Sequence, residues 1–208
     1  PRGSVRPRAT RGSPAASLPA EAGLSPNVFV HVATSGAVTI VCHRSEMGQG
    51  VRSSVPLLVA DELGAAPERV VVVQATGDEK YGDQNTDGST SIRKFDDKLR
   101  RIGAVARTML VQAAAKQWGV APGTCEAKDH FVVHAPSKRK ADFGSLVKTA
   151  AKLPVPDESA VALRPRGELV NLSKERLAVL DAGAIVTGAA VYGADVKLDG
   201  LRHAVVAR

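Results

Sequence analysis

Apolar and polar residues alternate over 27–41 (NVFVHVATSGAVTIV) about a Thr34-Ser35-Gly36 turn. That pattern predicts a β-hairpin with Phe29, Val32, Val38 and Ile40 on one buried face. The period then changes: Val51, Val55, Leu58, Val59 and Leu63 recur at helical spacing, and Gly64 stops the run. Pro56 sets the expected helix start at Ser53 or Ser54, because proline is tolerated in a first turn and not in a helix interior. A β-branched run at 70–75 (VVVVQA) predicts a short buried strand. The polar stretch after it, TGDEKYGDQNTDGSTS, has no apolar period and reads as a long functional or disordered loop.

A long helix is expected from about Ile92 to Trp118, with Ser91 as N-cap and Gly119 as the stop. Its apolar stripe is Ile92, Phe95, Leu99, Ile102, Ala106, Met109, Leu110 and Ala113, with Asp96–Arg100 and Asp97–Arg101 as i,i+4 pairs on the wet side. A strand at 130–134, a short helix at 143–152 and an LPVP linker at 153–156 follow. From Arg164 onward the pattern is extended, with strand-like VYGADV at 191–196 and an alternating end, LRHAVVAR. A chain ending inside a strand pattern reads as one piece of something larger. The expected class is α+β: a β-hairpin plus short strands packed on two or three helices, with an extended C-terminal arm.

Composition narrows the function classes. Of 208 residues 44% are hydrophobic, enough for a core, and no apolar run reaches the roughly 18 residues that a membrane helix needs. The formal charge is +7, but Arg2, Arg6, Arg8 and Arg11, with no acid among residues 1–20, supply four of those charges. Residues 1–25 therefore read as a disordered or extended basic tail, and the remainder is ordinary in charge. With Phe 4, Tyr 2 and Trp 1 there are few stacking platforms, so nucleic acid is not an expected partner. Cys42 and Cys125 fit no ligand spacing.

Several motifs carry little. Asp83-Gln84-Asn85-Thr86-Asp87-Gly88 matches half of a calcium loop, but Lys94 stands where a bidentate Glu is required, so these groups are expected to organise a turn. His130 and His134 on a strand would lie about 13 Å apart, too far to share a metal. Gly48-Gln49-Gly50 precedes the first helix and Gly88-Ser89-Thr90-Ser91 precedes the second. Backbone N–H groups there, with one amide and three hydroxyls, suit a phosphate or carboxylate. A cap and a tight turn explain each one alone as well.

The two segments in this order, EMGQG at 46–50 and TDGSTS at 86–91, resemble the molybdopterin-binding subunit of the xanthine dehydrogenase/aldehyde oxidase family. The likeness is to its bacterial isoquinoline oxidoreductase and aldehyde dehydrogenase branch. LVADELGA at 58–65, AAAKQWGV at 113–120, KLPVP at 152–156 and VTGAAVYGADVKLDGLRHAVVAR at 186–208 extend it. The resemblance implies a molybdenum hydroxylase that oxidises an aldehyde or an N-heterocycle, a small-molecule substrate, with oxygen from water. Electrons would leave through iron–sulfur clusters on a small partner subunit, toward a cytochrome c or another acceptor.

Carried onto this sequence, Gln49 would donate its amide to the oxo ligand on molybdenum, while Gly48 and Gly50 allow close backbone approach. Gly88, Ser89, Thr90 and Ser91 would hold the phosphate-bearing end of the cofactor, or the nucleotide of a cytosine dinucleotide form. The resemblance implies no direct metal ligand and no catalytic residue in this segment, because the family's general-base Glu lies in the remainder of a longer subunit. It also implies a molybdopterin-binding segment at 26–156, a linker at 157–185 and the start of an α/β hammerhead-like domain at 186–208. A periplasmic location is expected. The competing expectation is a non-catalytic scaffold or anion-binding module that keeps the fold.

Overall fold

The structure is a computed structural model that describes residues 8–9, 18–19, 22–172 and 179–207. Most of the tail expected over 1–25 lies outside the described residues. Two short pieces of it join a sheet: Arg8–Ala9 (β1) and Gly23–Leu24 (β2). The expected hairpin is present as antiparallel Val30–Ala33 (β3) and Val38–Cys42 (β4), but the register pairs Val30 with Ile40 and Val32 with Val38. Val30, and not Phe29, therefore shares their face; Phe29 precedes the strand. Val51–Leu63 (α1) then crosses over to Val70–Gln74 (β5), which pairs parallel with β4. A parallel neighbour requires such a crossover. The strand order is β1-β5-β4-β3-β2.

Thr90–Arg93 (α2) is a single turn, separated at Lys94 and Phe95 from the long helix Asp96–Trp118 (α3). Glu126–Lys128 (β6), Phe131–His134 (β7) and Arg139–Asp142 (β8) form a second, antiparallel sheet. Phe143–Ala150 (α4) follows, its first turn capped by Asp142 Oδ1, which accepts the Gly144 N–H at 2.8 Å. His130 joins three parts of the chain. Its Nδ1 accepts the Ala66 N–H at 3.3 Å, so Nε2 carries the proton and donates to the Gly36 carbonyl at 2.6 Å. Mixed helices and open sheets make this an α+β chain, as the pattern predicted.

Helix α1 is buried on nearly every side, which removes the stripe that a surface helix shows. It packs on β4 and β5, against α3, and beneath residues 162–172 and 179–181. Its polar residues bind α3 and those two stretches. Glu62, fully buried, accepts Arg100 Nε at 3.0 Å, Arg107 Nη1 at 2.5 Å and the Arg164 N–H at 2.8 Å. Asp61 accepts the N–H groups of Asn171 and Leu172, and Ser53 Oγ accepts that of Leu180.

Four further expectations change. Helix α1 starts at Val51, so Pro56 lies in its interior; the Glu46 carboxylate and a left-handed Gly50 set the first turn earlier than proline alone implied. Ser91 is not an N-cap, because the chain turns at Gly88 and Ser89 and breaks again before α3. Asp97–Arg101 forms, at 2.7 Å, but Arg100 turns inward to Glu62 and Asp96 pairs with Arg166 instead. The stretch at 191–196 forms a 3-10 turn at Gly193–Asp195 rather than a strand, and Ala182–Val186 (α5) is helical. A strand pattern needs a neighbouring strand to complete it, and Val191, Tyr192, Leu198, Val205 and Val206 stand exposed.

Candidate functional site

Strands β4 and β5 are parallel and end side by side, with Cys42 opposite Gln74. The loops that follow them, 43–50 and 75–89, therefore leave from the same end of the sheet. In open α/β sheets ligands bind outside the carboxyl ends of parallel strands, and this pair of strands presents such an end. The Gln74 amide fastens the exit, donating to the carbonyls of Cys42 and Arg44 at 3.1 Å each.

The first loop is organised by its own acid. Glu46 Oε1 accepts the N–H groups of Gly48 at 2.7 Å and Gly50 at 2.9 Å, and Oε2 accepts that of Arg52 at 3.0 Å. Burial pushes the Glu46 carboxyl up; the N–H groups of Arg52, Gly50 and Gly48 and the Arg52 charge outweigh this and hold it below the usual glutamate value. The anion cradle expected at the start of α1 is thus filled by a carboxylate of the same chain. Gln49 is exposed at the loop tip, where its Oε1 accepts the Met47 N–H at 2.6 Å and its Nε2 donates to the Ser45 carbonyl at 2.9 Å.

The second loop turns on Asp83, whose Oδ1 accepts the Asn85 N–H at 3.0 Å, the turn-forming role expected of it. That N–H first, and then the Arg44 guanidinium, lower the Asp83 carboxyl. Gly88 and Ser89 follow in the left-handed region, with φ of 49° and 55°. The latter is uncommon for a residue with a side chain. Thr90 is buried and its hydroxyl donates to the Asp87 carbonyl at 3.0 Å. The hydroxyls of Ser89 and Ser91 have no hydrogen-bond partner among the described residues. A Cβ at Gly48 or Gly50 would meet nothing within 4 Å, and one at Gly88 only Thr90 Cγ2 at 3.6 Å. The glycine faces open outward.

Direct bonds join the loops. Ser45 donates its N–H to Thr86 Oγ1 at 3.0 Å, and that hydroxyl donates to the Ser45 carbonyl at 3.1 Å. Arg44, fully buried, reaches the Asn85 carbonyl and both Asp83 oxygens, the latter at 3.4 Å. Its Nε donates to His43 Nε2 at 3.3 Å. Burial, helped by the Arg44 charge, brings His43 down to about 4. Cys42 is buried beneath, its thiol pushed up to about 11 by that burial.

A family model described as a molybdopterin cofactor-binding domain matches residues 9–203. The chain belongs to the molybdopterin cofactor-binding domain family. This molybdopterin cofactor-binding domain is 33% identical to isoquinoline 1-oxidoreductase subunit beta of Brevundimonas diminuta, over 95% of its own length and 30% of the relative's. It is 30% identical to the membrane-bound aldehyde dehydrogenase [pyrroloquinoline-quinone] of Gluconacetobacter polyoxogenes, over 90% and 24% of the two chains. The crystal structure of quinoline 2-oxidoreductase from Pseudomonas putida 86 is similar at a TM-score of 0.48 and 21% identity, covering 59% of this chain and 15% of that one. The chain spans less than a third of the length of the curated relatives that it matches.

The residues present fit the family's cofactor. Open glycine faces at 48, 50 and 88, a fixed amide at Gln49 and the hydroxyls of Ser89 and Ser91 make a donor set suited to a polar, phosphate-bearing group. Of the seven residues expected to bind it, the fold brings the Gly48-Gln49-Gly50 loop and the Gly88-Ser89-Thr90-Ser91 loop to one end of the sheet. The Thr90 hydroxyl is turned into its own loop, and the N–H groups of Gly48 and Gly50 are bound to Glu46. The sequence reading missed Arg44 and Thr86. An arginine beside a strand end ordinarily reads as solvated, and nothing local marks it as buried.

Proposed function

We propose that this chain supplies part of the molybdopterin site of a molybdenum hydroxylase that oxidises an aldehyde or an N-heterocyclic substrate, passing electrons to an iron–sulfur partner subunit. Two direct links, Ser45 to Thr86 and Arg44 to Asp83 and Asn85, carry this reading, because they join the two cofactor-facing loops into one surface. The names of the relatives, an isoquinoline 1-oxidoreductase subunit and an aldehyde dehydrogenase, support the substrate classes. When bound, the molybdenum cofactor supplies hydroxylation with oxygen taken from water.

The residues of this chain bind and orient. The Gln49 amide is already held by Ser45 and Met47, so it does not lose ordering entropy when a ligand arrives. Its nitrogen has a second proton, which remains available as a donor. Ser89 and Ser91 offer hydroxyls to the phosphate-bearing end, or to the nucleotide of a cytosine dinucleotide form. The remainder of the subunit, with its general base, and a cytochrome c or other acceptor complete the proposed assembly. A periplasmic location belongs to the same proposal, and cell fractionation tests it.

Molybdenum per chain, measured by mass spectrometry on the native complex isolated through this polypeptide, is the test. About one metal per chain is expected. None in an intact, partner-bound preparation sinks the enzyme reading in favour of a scaffold that keeps the fold.

A further inference from the structure

We propose that Arg44 is a positioning residue that fixes the 83–95 segment, and with it Gly88, Ser89 and Ser91, against the Gln49 loop. The inference rests on the functional reading above for its consequence, but its geometry stands on this chain alone.

Arg44 grips the segment at both ends. On the entry side its guanidinium donates to the Asn85 carbonyl and lies 3.4 Å from each oxygen of Asp83. On the exit side its central carbon lies 4.1 Å from the centroid of the Phe95 ring, at the break between α2 and α3. The stretch between these grips contains every residue of the second loop that faces the proposed cofactor. Ser45, the next residue, adds its two bonds to Thr86. Two consecutive residues thus set the register of a segment, 83–95, that starts some forty positions later.

Burial gives the clamp its rigidity. The Arg44 side chain has no solvent exposure, whereas that of its anionic partner Asp83 is 53% exposed. A buried cation whose counter-ion is half in water gains little from that pair alone. The fit depends on all three contacts being made together: a carbonyl, a carboxylate and a ring face. Only a planar guanidinium offers a fork of donors and a flat face at once. His43 receives the remaining Nε proton while staying neutral, so the guanidinium keeps its orientation without a second anion.

The test uses the complete complex carrying Arg44→Met, Arg44→Lys, Phe95→Leu or Thr86→Val, with two readouts. The first is hydrogen exchange of peptides covering 83–95, compared with peptides covering 126–142 in the second sheet. The second is molybdenum per chain. Both Arg44 variants should exchange at least tenfold faster over 83–95 with unchanged exchange over 126–142, and should hold under half of the wild-type molybdenum. Lysine should not rescue, because it keeps the charge and loses the fork. Phe95→Leu, which removes only the ring face, and Thr86→Val, which removes only the Ser45 link, should each show a smaller increase in the same peptides.

Wild-type exchange over 83–95 in Arg44→Met overturns the proposal, as does full rescue by lysine, which would reduce Arg44 to a charge. If Arg44→Met does not fold, Phe95→Leu decides by the same peptides: it removes a contact that Arg44 makes, and wild-type exchange over 83–95 there overturns the proposal. A wild-type complex without molybdenum overturns the functional reading instead, and leaves the exchange result to judge the clamp.

Discussion

Gly103 of α3 lies against Val59 of α1 so closely that a Cβ built on it would come 2.5 Å from the Val59 carbonyl oxygen and 3.0 Å from Glu62 Cβ. The absent side chain sets the distance between the two helices, and that distance lets Arg100 and Arg107 of α3 reach Glu62. Gly103→Ala should therefore destabilise by about 1–3 kcal/mol, although alanine is the better helix former. Urea denaturation checks this, and an increase in stability would show that the helices pack further apart.

Glu62→Gln removes the anion facing Arg100 and Arg107 and leaves two cations uncompensated in the interior. A loss of about 3–5 kcal/mol is expected. The measurement is again the denaturation midpoint; a change under 1 kcal/mol would mean that water reaches this cluster.

Glu46 ties its loop to the first turn of α1, accepting the N–H groups of Gly48, Gly50 and Arg52, and its carboxyl is held low by them. A carboxylate favoured in the folded state gives stability that is full above the ordinary glutamate value of 4.5 and is lost as pH falls through the lower folded value. Glu46→Ala should cost about 1–2 kcal/mol at neutral pH. Glu46→Gln should flatten the acid limb of the stability profile; an unaltered limb would assign that sensitivity to other carboxylates.

His43 and His130 are buried and neutral, and burial is the main cause in both. For a base whose folded value is depressed, the unfolded chain takes up the proton first. Stability is then full above the ordinary histidine value of 6.5 and declines as pH falls below it, for His43 down to about 4. Proton resonances of the His43 ring should not titrate between pH 8 and 5. A midpoint near 6.5 would place that ring in water.

Gln49→Ala should keep the fold, since Gln49 is exposed and its bonds stay within the loop. On the functional reading, turnover or molybdenum content should fall roughly 10–100-fold, the range for residues orienting a metal's surroundings. Unchanged activity and metal content together would remove Gln49 from the site.

Much of this was readable from local pattern. Period-two alternation located β3 and β4, a β-branched run located β5, and the helical spacing of Leu99, Ile102, Met109 and Leu110 located α3. These signals lie within a few residues of one another, where backbone geometry alone decides which side chains share a face. The two glycine-containing segments were legible for the same reason: their chemistry is carried by neighbours in sequence.

What the chain's own sequence determined, then, was its main elements (β3, β4, β5, α1 and α3), its α+β class and the residue types of both loops. Only the tertiary structure decided which donors are already engaged and which partners the charges take. Glu46 closes on Gly48, Gly50 and Arg52; Arg100 leaves the wet face for Glu62; Arg44 sinks beneath Asp83 and Asn85, some forty residues later. Each of these choices depends on groups brought together across the chain by the burial of apolar surface. Neither the burial of a charge nor its distant partner leaves a mark on the residues beside it.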